Sequence, residues 1–423
     1  MKNVTRTQVR RMAAAMVLAV MVMSGCVETV MLPPGAHEPT RPVQQVAPPV
    51  AVKKAQPVSC AVALALPLSG PYGAIGAKIL NGARVAQSTL AGQGVAVEIH
   101  EIDCSAPDWL KKLQALPPTV GVVGGPLNPE ALDELAKSGQ FKSRAFFAFM
   151  QNVGKVAEGQ DAWRFFSAPA DQIRTLLRTV KQDFSISRVG ILYPDEPFGA
   201  RIAQLFQDEA AKAGVSVGGK SSYPPDDPLR WADIVATFLG GGQPGGTPPF
   251  DAVFLPDVWS KVEMLLPYLS LHQSEQLLVL GSTLWGQTYS KEVHVPAHLF
   301  RLAIFPGIWW PRPDAPAMTE LRRFGKPGQE EPAVWDVVGF DFIRFAAHVG
   351  PLPAAWSPAL VNERIRLAQT MPWNMAPISW DSKGHAQQNM LLYSPANKAV
   401  EPADLYNIRQ RRDAIMQRSP SKK

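Results

Sequence analysis

The segment ALPLSGPYGAIGAKILNGARVA, residues 65–86, joins an apolar run to a stretch with helical periodicity. The run that it completes, AVALALPL, shows no alternation of polar and apolar residues, which is typical of a parallel strand covered on both faces. Apolar residues of the following stretch fall on one face of a helix: Ile75, Ile79, Ala83, Ala86 and Leu90. The segment therefore predicts a strand, a loop and a helix.

The same alternation of short apolar runs and helix-period stretches continues to about residue 281. Strands are predicted up to residue 168, and a second series opens after APADQ, residues 168–172. This order predicts an α/β fold with two doubly wound, Rossmann-like lobes in series. The assignment to lobe one is residues 58–168 and about 305–350, and to lobe two residues 169–304 and about 351–406.

The N-terminal residues predict a signal peptide and a lipid anchor. Basic residues precede the 12-residue apolar run MAAAMVLAVMVM, which is shorter than the roughly 20 residues of a spanning helix. The run ends at SGC and resembles a bacterial lipobox, so that residues 1–25 are removed and Cys26 is lipidated; an ordinary cleavage site with a chance cysteine is the alternative. Proline-rich residues 26–57 predict an extended tether. The expected location is the periplasmic face of the cell envelope, and Val27 favours the outer membrane.

The charge distribution excludes a nucleic-acid-binding role. The formal net charge is +6, but the excess lies in the N-terminal segment and in a basic tail, residues 407–423. Residues 58–406 hold about four more acidic than basic side chains, whereas a nucleic-acid-binding protein has a basic stripe on its folded surface. We expect the tail to be a solvated, frayed end; contact with anionic lipid or cell-wall polymer is the alternative.

Two cysteines of the folded part are predicted to be free thiols. Cys60 starts the first predicted strand and Cys104 follows the end of the neighbouring strand, so about 25 Å separates them along the strand direction. A disulfide needs Cα atoms within about 7 Å of each other. The two positions are therefore too far apart to pair.

A match to the phosphate-binding pattern G-x-x-x-x-G-K-[ST] occurs at residues 214–221, but its surroundings have the wrong order. A phosphate loop leads from a strand into a helix, whose N-terminus faces the anion. Here a predicted helix ends at Gly214, a strand follows, and Pro224 and Pro225 exclude a second helix. We predict no nucleotide and no other cofactor.

Patterns of catalytic and metal centres are missing as well. The sequence has no G-x-S-x-G motif and no carboxylate pair that stands apart from the solvated charges. His294 and His298 have i,i+4 spacing, but Pro296 makes the segment between them non-helical. The sequence therefore predicts neither an enzyme nor a metal site.

The opening segment resembles the first strand, ligand loop and first helix of type 1 periplasmic binding proteins of the leucine/isoleucine/valine-binding group. The resemblance continues in RFFSAPADQ, in RVGILYPDEPFGARIAQLFQDEAAKAGVSV, in FDAVFLPD and in WDSKGHAQ. It implies two Rossmann-like lobes joined by three crossovers, with a ligand held in the cleft between them. In that family the cleft is formed by loops at the carboxyl ends of the parallel strands.

Ligands of such folds lie outside the carboxyl ends of the strands. The candidates at these ends are Ser69, Gly70, Tyr72, Pro126, Leu127, Asn128, Gln151, Asn152, Asp195, Phe198, Asp257, Ser282 and Trp285. The resemblance implies that Ser69 binds a ligand carboxylate and Asp257 a ligand ammonium. A helix cap or a turn is the alternative role for Ser69, Asn128 and Asp195. Trp285 packs at the hinge or stacks on a ligand, and Trp309 and Trp310 are expected to pack between the lobes.

The sequence departs from amino-acid binders at two loops. GGPLNPEAL follows the third strand and FMQN the fourth, where those proteins place hydroxyl side chains. Each missing partner would cost a bound carboxylate about 1–3 kcal/mol. The GPL segment followed by a helix is similar to envelope lipoproteins that activate penicillin-binding proteins.

Two functions follow from these resemblances. The first is an envelope lipoprotein that binds a small polar, amino-acid-like ligand for transport, with an ABC permease as partner, or for sensing. The alternative is an activator that docks a cell-wall synthase, a penicillin-binding protein.

Overall fold

A computed structural model of the chain describes residues 58–240, 248–271, 275–288, 297–311, 316–324, 332–395 and 400–418. The predicted signal peptide, Cys26, the tether and His294 lie outside the described residues. Within those ranges no helix has the length and apolar character needed to cross a membrane.

Lobe one is built on a parallel sheet with the strand order β2-β1-β3-β4-β5. Its strands are β1 (Val58–Leu66), β2 (Val95–Asp103), β3 (Val120–Gly124), β4 (Ala145–Ala148) and β5 (Ala162–Arg164). The helices between them are α1 (Gly73–Gly92), α2 (Trp109–Gln114) and α3 (Pro129–Ser138). Residues of β3, β4 and β5 are buried throughout, as expected for strands covered on both faces.

Lobe two contains a seven-stranded sheet with the order β14-β13-β10-β9-β8-β6-β7. The parallel strands are β6 (Arg188–Pro194), β7 (Ser216–Tyr223), β8 (Ala252–Leu255), β9 (Leu278–Gly281) and β10 (Ala303–Gly307). The helices of this series are α4 (Pro169–Gln182), α5 (Pro197–Ala213), α6 (Trp231–Phe238), α7 (Trp259–Leu271), α8 (Leu284–Thr288) and α9 (Ala297–Phe300). These two lobes confirm the predicted fold class.

The C-terminal third is divided between the lobes. Its elements are α10 (Pro316–Phe324), α11 (Val334–Val349), α12 (Pro358–Ala368), β11 (Ile378–Trp380), β12 (Ala386–Gln388), β13 (Leu391–Pro395), β14 (Val400–Pro402) and α13 (Leu405–Arg418). Strands β11 and β12 form the hairpin predicted from WDSKGHAQ. Strands β13 and β14 add to the second sheet in antiparallel orientation.

Two predicted lobe boundaries are wrong. Helix α12 and the β11–β12 hairpin share the buried core of lobe one, through Val361, Ile365, Ile378 and Trp380, although residues 351–406 were assigned to lobe two. Strand β10 belongs to the second sheet, although the assignment to lobe one began at about residue 305. Each segment has one apolar face, and the sequence does not tell which of two cores that face covers.

The basic tail is a packed helix, so the prediction of a frayed end is wrong for the part within α13. Ile408 is buried in the core of lobe two. Arg412 Nε donates a hydrogen bond to the carbonyl oxygen of Gln276 at 3.0 Å, and its guanidinium lies 3.7 Å from the Asp251 carboxylate. Residues 405, 408, 412 and 415 lie on one helical face. A prediction based only on the net charge of the tail overlooks this amphipathic pattern. Residues 419–423 lie outside the described residues.

The phosphate-loop match has the geometry that the sequence predicts. Gly214 ends α5 with φ 65°, and β7 follows at the edge of the second sheet. Lys220 donates to Gln207 Oε1 at 3.2 Å. The residues after β7, Pro224–Asp227, are not helical, so no helix N-terminus faces this lysine.

Cys60 and Cys104 are free and buried, as predicted. The parallel register pairs Cys60 with Val97, whereas Cys104 follows the other end of β2. Burial raises the pKa of the Cys60 thiol to about 11. Burial and then the negative charge of Asp103 raise the pKa of Cys104 to about 12. Both thiols are therefore protonated at neutral pH.

Helices α1 and α11 pack in direct backbone contact. A Cβ atom added at Gly82 would lie 1.7 Å from the carbonyl oxygen of Asp336, and one added at Gly339 would lie 1.9 Å from that of Ile79. Asn81 Nδ2 also donates to Asp336 Oδ1 at 2.8 Å. The contact requires glycine at both positions because backbone atoms occupy the space that a side chain would need.

The replacement Gly82→Ala should lower the free energy of unfolding by about 3 kcal/mol, the upper end of the range typical of overpacking. The reason is that the two helices must separate to make room for the methyl group. The matched control is Gly92→Ala in the same helix, where an added Cβ meets nothing within 4 Å. The control should be neutral or stabilising by up to about 1 kcal/mol. Urea unfolding followed by circular dichroism measures both. Equal stabilities of the two variants would contradict the close contact.

Candidate functional site

A cavity of about 590 Å³ lies where the two lobes and their crossovers meet. Lobe one contributes Gln151 in the loop after β4 and the first turn of α11; lobe two contributes the start of α8 and strand β13. The remaining wall comes from the crossover after β5 and from residues 305–311 at and after β10. The cavity thus has walls from both halves of the molecule.

Aromatic side chains form much of the wall. Phe166 stacks on Trp335 with ring centroids 5.0 Å apart and an interplanar angle of 8°. Tyr393 contacts Phe305 at 5.8 Å and Trp310 at 6.0 Å between ring centroids. Such surfaces offer large apolar area with defined geometry to a bound group.

The polar groups of the wall are few and uncharged. The amide of Gln151, the hydroxyl of Ser167 and the hydroxyl of Thr283 line the cavity. Ser167 is 8% exposed; among the residues that the structure describes, its hydroxyl has no hydrogen-bond partner. Thr283 is held by its backbone, because its N–H donates to Gln172 Oε1 at 2.9 Å. No acidic or basic side chain lines the cavity within the described part of the chain.

The first turn of α11 faces the cavity and is already capped. Asp336 Oδ2 accepts a hydrogen bond from the N–H of Ala333 at 2.9 Å, and its other oxygen accepts from Asn81. The carboxylate therefore neutralises part of the positive end of the helix dipole. The N–H groups of Val334 and Trp335 have no intrahelical acceptor, because of their position in the first turn. They can donate to a ligand oxygen, but the adjacent carboxylate disfavours a second negative charge.

A buried ion pair fixes the crossover that supplies Phe166 and Ser167. Arg164 Nη1 lies 3.0 Å from Asp171 Oδ2, and the side chains are 6% and 0% exposed. The same guanidinium donates to the carbonyl oxygens of Phe166, at 2.6 Å, and of Ala386. Asp171 Oδ1 pairs with Arg174 at 2.6 Å. The pair thus connects β5 of lobe one, α4 of lobe two and the β11–β12 hairpin.

Of the residues predicted at the ends of the strands in lobe one, Gln151 lines the cavity. Ser69 is exposed and its hydroxyl donates to Asp103 Oδ2 at 3.1 Å. Asn128 caps α3 by accepting from the N–H of Ala131 at 2.8 Å, and Asn152 accepts from the N–H of Gly154 at 3.1 Å. The others do not line the cavity: Gly70 and Tyr72 are exposed, Pro126 is buried and Leu127 packs on the core.

The predicted residues of lobe two also lie outside the cavity wall. Asp257 accepts from the N–H of Val258 at 2.6 Å and from the hydroxyl of Tyr223. Burial and then Asp257 raise the pKa of Tyr223 above its ordinary value, so the phenol remains a donor. Asp195 and Phe198 are exposed, and Ser282 Oγ accepts from the N–H of Leu284 at 3.3 Å.

The tryptophans near the hinge divide into two groups. Trp285 is fully buried and contacts Trp259 and Phe300 in the core of lobe two. It is a packing residue, and its inclusion among the ligand contacts is wrong. Trp309 and Trp310 line the cavity, so they do more than pack between the lobes.

Most residues of the cavity wall are not among the predicted site residues. The side chains that sequence reasoning did not identify include Phe166, Ser167, Thr283, Phe305, Trp335 and Tyr393. Several of them lie in crossovers rather than at strand ends, and the rule about strand ends does not include crossovers. A concentration of aromatic residues in RFFS and GIWWP is the sequence feature that could have identified them.

Solved structures with similar folds cover most of the chain. A protein from Rhodospirillum rubrum, assigned as a branched-chain amino acid ABC transporter, has a TM-score of 0.63 and 15% sequence identity, over 82% of this chain and 100% of that one. The chain has the type 1 periplasmic binding fold. The C-domain of LpoA (YraM) from Haemophilus influenzae, a regulator of PBP1A, has a TM-score of 0.58 and 16% identity, over 81% of this chain and 99% of that one.

A third structure contains a bound amino acid. It is an ABC transporter substrate-binding protein from Desulfitobacterium hafniense in complex with Leu, with a TM-score of 0.56 and 14% identity, over 82% of this chain and 100% of that one. No family model matches the sequence, and no curated protein matches it either. At sequence identities this low, the similarity establishes a shared fold and not a shared function.

The replacement Asp171→Asn should destabilise the protein by about 3 kcal/mol, the lower end of the range for breaking a buried ion pair. Arg164 and Arg174 both lose the carboxylate that they share, and Arg164 keeps only the Glu158 carboxylate, 3.5 Å from its Nε. Glu101→Gln is the control, since it removes an exposed ion pair with Arg84, 2.6 Å long, whose partners are 58% and 36% exposed. The control should cost less than about 1 kcal/mol. Urea denaturation gives both free energies, and a loss for Asp171→Asn no larger than the control's would refute a structural role of the crossover pair.

Proposed function

We propose that the protein is a binding protein that holds a small, uncharged, amino-acid-like or peptide-like ligand in the cavity between its lobes. The supporting observation is the wall itself, which combines stacked aromatic rings with a few uncharged polar side chains, among them Gln151, Ser167 and Thr283. Small-molecule sites typically consist of an apolar surface with a few placed polar groups. The similar folds of the two transport proteins agree with such a role.

The preference for an uncharged ligand rests on the cost of burying charge. A free amino acid brings a carboxylate and an ammonium, and each needs a partner once water is excluded. Ser69 and Asp257, which the resemblance suggested for these roles, bond to Asp103 and Tyr223 instead. A ligand whose ends are amides or hydroxyls can bond to Gln151, Ser167 and Thr283 without this cost.

The cellular setting is part of the same proposal. Lipidation at Cys26 and the tether to residue 57 would hold the lobes at the periplasmic face of the cell envelope, with the outer membrane favoured. There the cavity would capture a ligand for an ABC permease or for sensing. No step of this role requires a catalytic group or a cofactor.

Paired probes test the proposal by thermal unfolding of the full-length chain. Blocked, uncharged N-acetyl-phenylalaninamide and N-acetyl-leucinamide are compared with free phenylalanine and leucine. We expect the blocked member of a pair to stabilise the protein, by about 2.7 kcal/mol at about 100 times its Kd. Gln151→Ala and Thr283→Val should each weaken its binding by about 2- to 10-fold, the free energy of one hydrogen bond.

The matched control is Asn152→Ala, which changes an exposed neighbour of Gln151 that does not line the cavity. It should leave the affinity unchanged. Stabilisation by free phenylalanine or leucine alone would disprove the preference for uncharged ligands. Absence of stabilisation by all four probes would count against amino-acid-like ligands and favour the second candidate.

The second candidate is a regulator that docks a penicillin-binding protein. It is supported by the loops at the strand ends, where Ser69 and Asn128 serve as turn and cap residues within lobe one. It is also supported by the similarity to the Haemophilus regulator's C-domain over nearly all of that domain. In this reading the lobes form a protein-contact platform and need no ligand.

Purified synthase from the same cell envelope tests the second candidate. We expect the full-length chain to bind it in surface plasmon resonance and to raise its peptidoglycan polymerisation rate. Tyr72→Ala, at an exposed aromatic residue after β1, should weaken that binding about 10-fold, as expected for a side chain at the centre of an interface. Tyr406→Ala, at an exposed tyrosine of α13 in the other lobe, is the control. No binding of any penicillin-binding protein would exclude this role.

A further inference from the structure

Lobe two has a second groove, of about 450 Å³, between helices α4 and α5. Helix α4 lines it with Arg174, Arg178 and Lys181, and helix α5 lines it with Lys212 and Glu209. Gln387 of the β11–β12 hairpin closes one side. The groove is separate from the interlobe cavity and shares none of its lining residues.

The groove has an excess of positive charge that its own carboxylates do not neutralise. Glu209 is 5% exposed and is shared by Lys212, at 2.8 Å, and Arg174, at 3.4 Å. Arg178 donates to the neutral amide oxygen of Asn389 at 3.3 Å, and Lys181 donates to the carbonyl oxygen of Ala213 at 2.6 Å. Four cations therefore line a groove with one carboxylate. Because Arg174 is also paired with Asp171, at 2.6 Å, the charge without a carboxylate partner lies on Arg178 and Lys181. This cluster of cations stands out because residues 58–406 are acidic as a whole.

The spacing of the cations fits an extended chain. Positions 174, 178 and 181 follow one face of α4 and span about 10 Å along the helix axis at about 1.5 Å per residue. A single phosphate or carboxylate cannot contact all three. Alternate side chains of an extended polypeptide recur about every 6.6 Å, so two or three successive carboxylates match this length.

The neutral part of the lining favours a polypeptide over a phosphate polymer. Ala213 gives the groove a small apolar surface, and Gln182 and Gln387 contribute amides. Leu177 borders the groove but is 1% exposed. An amide both donates and accepts hydrogen bonds, as a peptide backbone does, whereas phosphate groups accept only. Arginine binds carboxylates and phosphates alike through paired N–H groups, so the amides carry the preference for a polypeptide.

We propose that this groove binds an extended acidic segment of a partner protein, with Arg178 and Lys181 as its main contacts. Both side chains are exposed, and neither is paired with a carboxylate in a hydrogen bond or ion pair of the described structure. The proposal does not depend on which ligand the cavity binds or on the proposed function.

A fluorescein-labelled deca-glutamate peptide tests the groove by fluorescence anisotropy with the full-length chain at low salt. The double variant Arg178→Glu/Lys181→Glu should bind at least about 10-fold more weakly, because like charges then face each other. Arg178→Gln/Lys181→Gln keeps the side chains long and neutral and should show a smaller loss. Each loss should shrink as salt is raised, since exposed charges are screened.

The control is Lys111→Glu/Lys112→Glu on α2, which makes the same charge change at exposed positions of lobe one. It should retain wild-type affinity within about 2-fold, because screened charges far from the groove contribute little. Equal losses in the groove and control variants would overturn the proposal, as would unchanged binding in both groove variants. Polyphosphate of equal charge should bind more weakly than the peptide; tighter binding of polyphosphate would overturn the assignment to a polypeptide.

Discussion

The direct backbone contact between α1 and α11 is the constraint on which the rest of the molecule depends. These helices are distant in sequence, and strands β6 to β10 of lobe two lie between them along the chain. Gly82 and Gly339 let them meet without side chains between them. Because α11 is fixed in this way, its first turn and Trp335 are held at the cavity wall. The chain can leave lobe one, build lobe two and return to a defined position.

Most of the fold could be predicted because buried parallel strands leave a simple pattern in the sequence. Runs such as VGVV and AFFA are apolar at every position, and amphipathic stretches separate them. The pattern does not say which core a late amphipathic segment covers. Helix α12 and the β11–β12 hairpin were misplaced for that reason, and α13 was missed because its arginines obscured the buried Ile408. Long-range packing decides these cases, and local sequence does not encode it.

The site was less predictable than the fold. The rule that ligands bind at strand ends selected Gln151, which lines the interlobe cavity, and otherwise residues that lie outside the cavity wall. Ser69, Asn128 and Asp257 use their polar atoms for bonds within their own lobes. Much of the cavity wall comes instead from crossovers. Phe166 and Trp335 stack there, although 168 residues lie between them in the sequence. Such a pair becomes visible only when the path of the chain between the lobes is known.

The crossover after β5 links the uncharged cavity to the charged groove. Arg164 and Asp171 flank Phe166 and Ser167 in the sequence, and the second oxygen of Asp171 binds Arg174 at the groove. Asp171 therefore takes part in both surroundings at once. A bound partner whose carboxylates attracted Arg174 would leave Asp171 paired with Arg164 alone. The position of the crossover, which this ion pair fixes, would then be less constrained. A groove partner would in this way change the affinity of the cavity for its ligand. Because such coupling is reciprocal, the cavity ligand would change the affinity of the groove for its partner by the same factor.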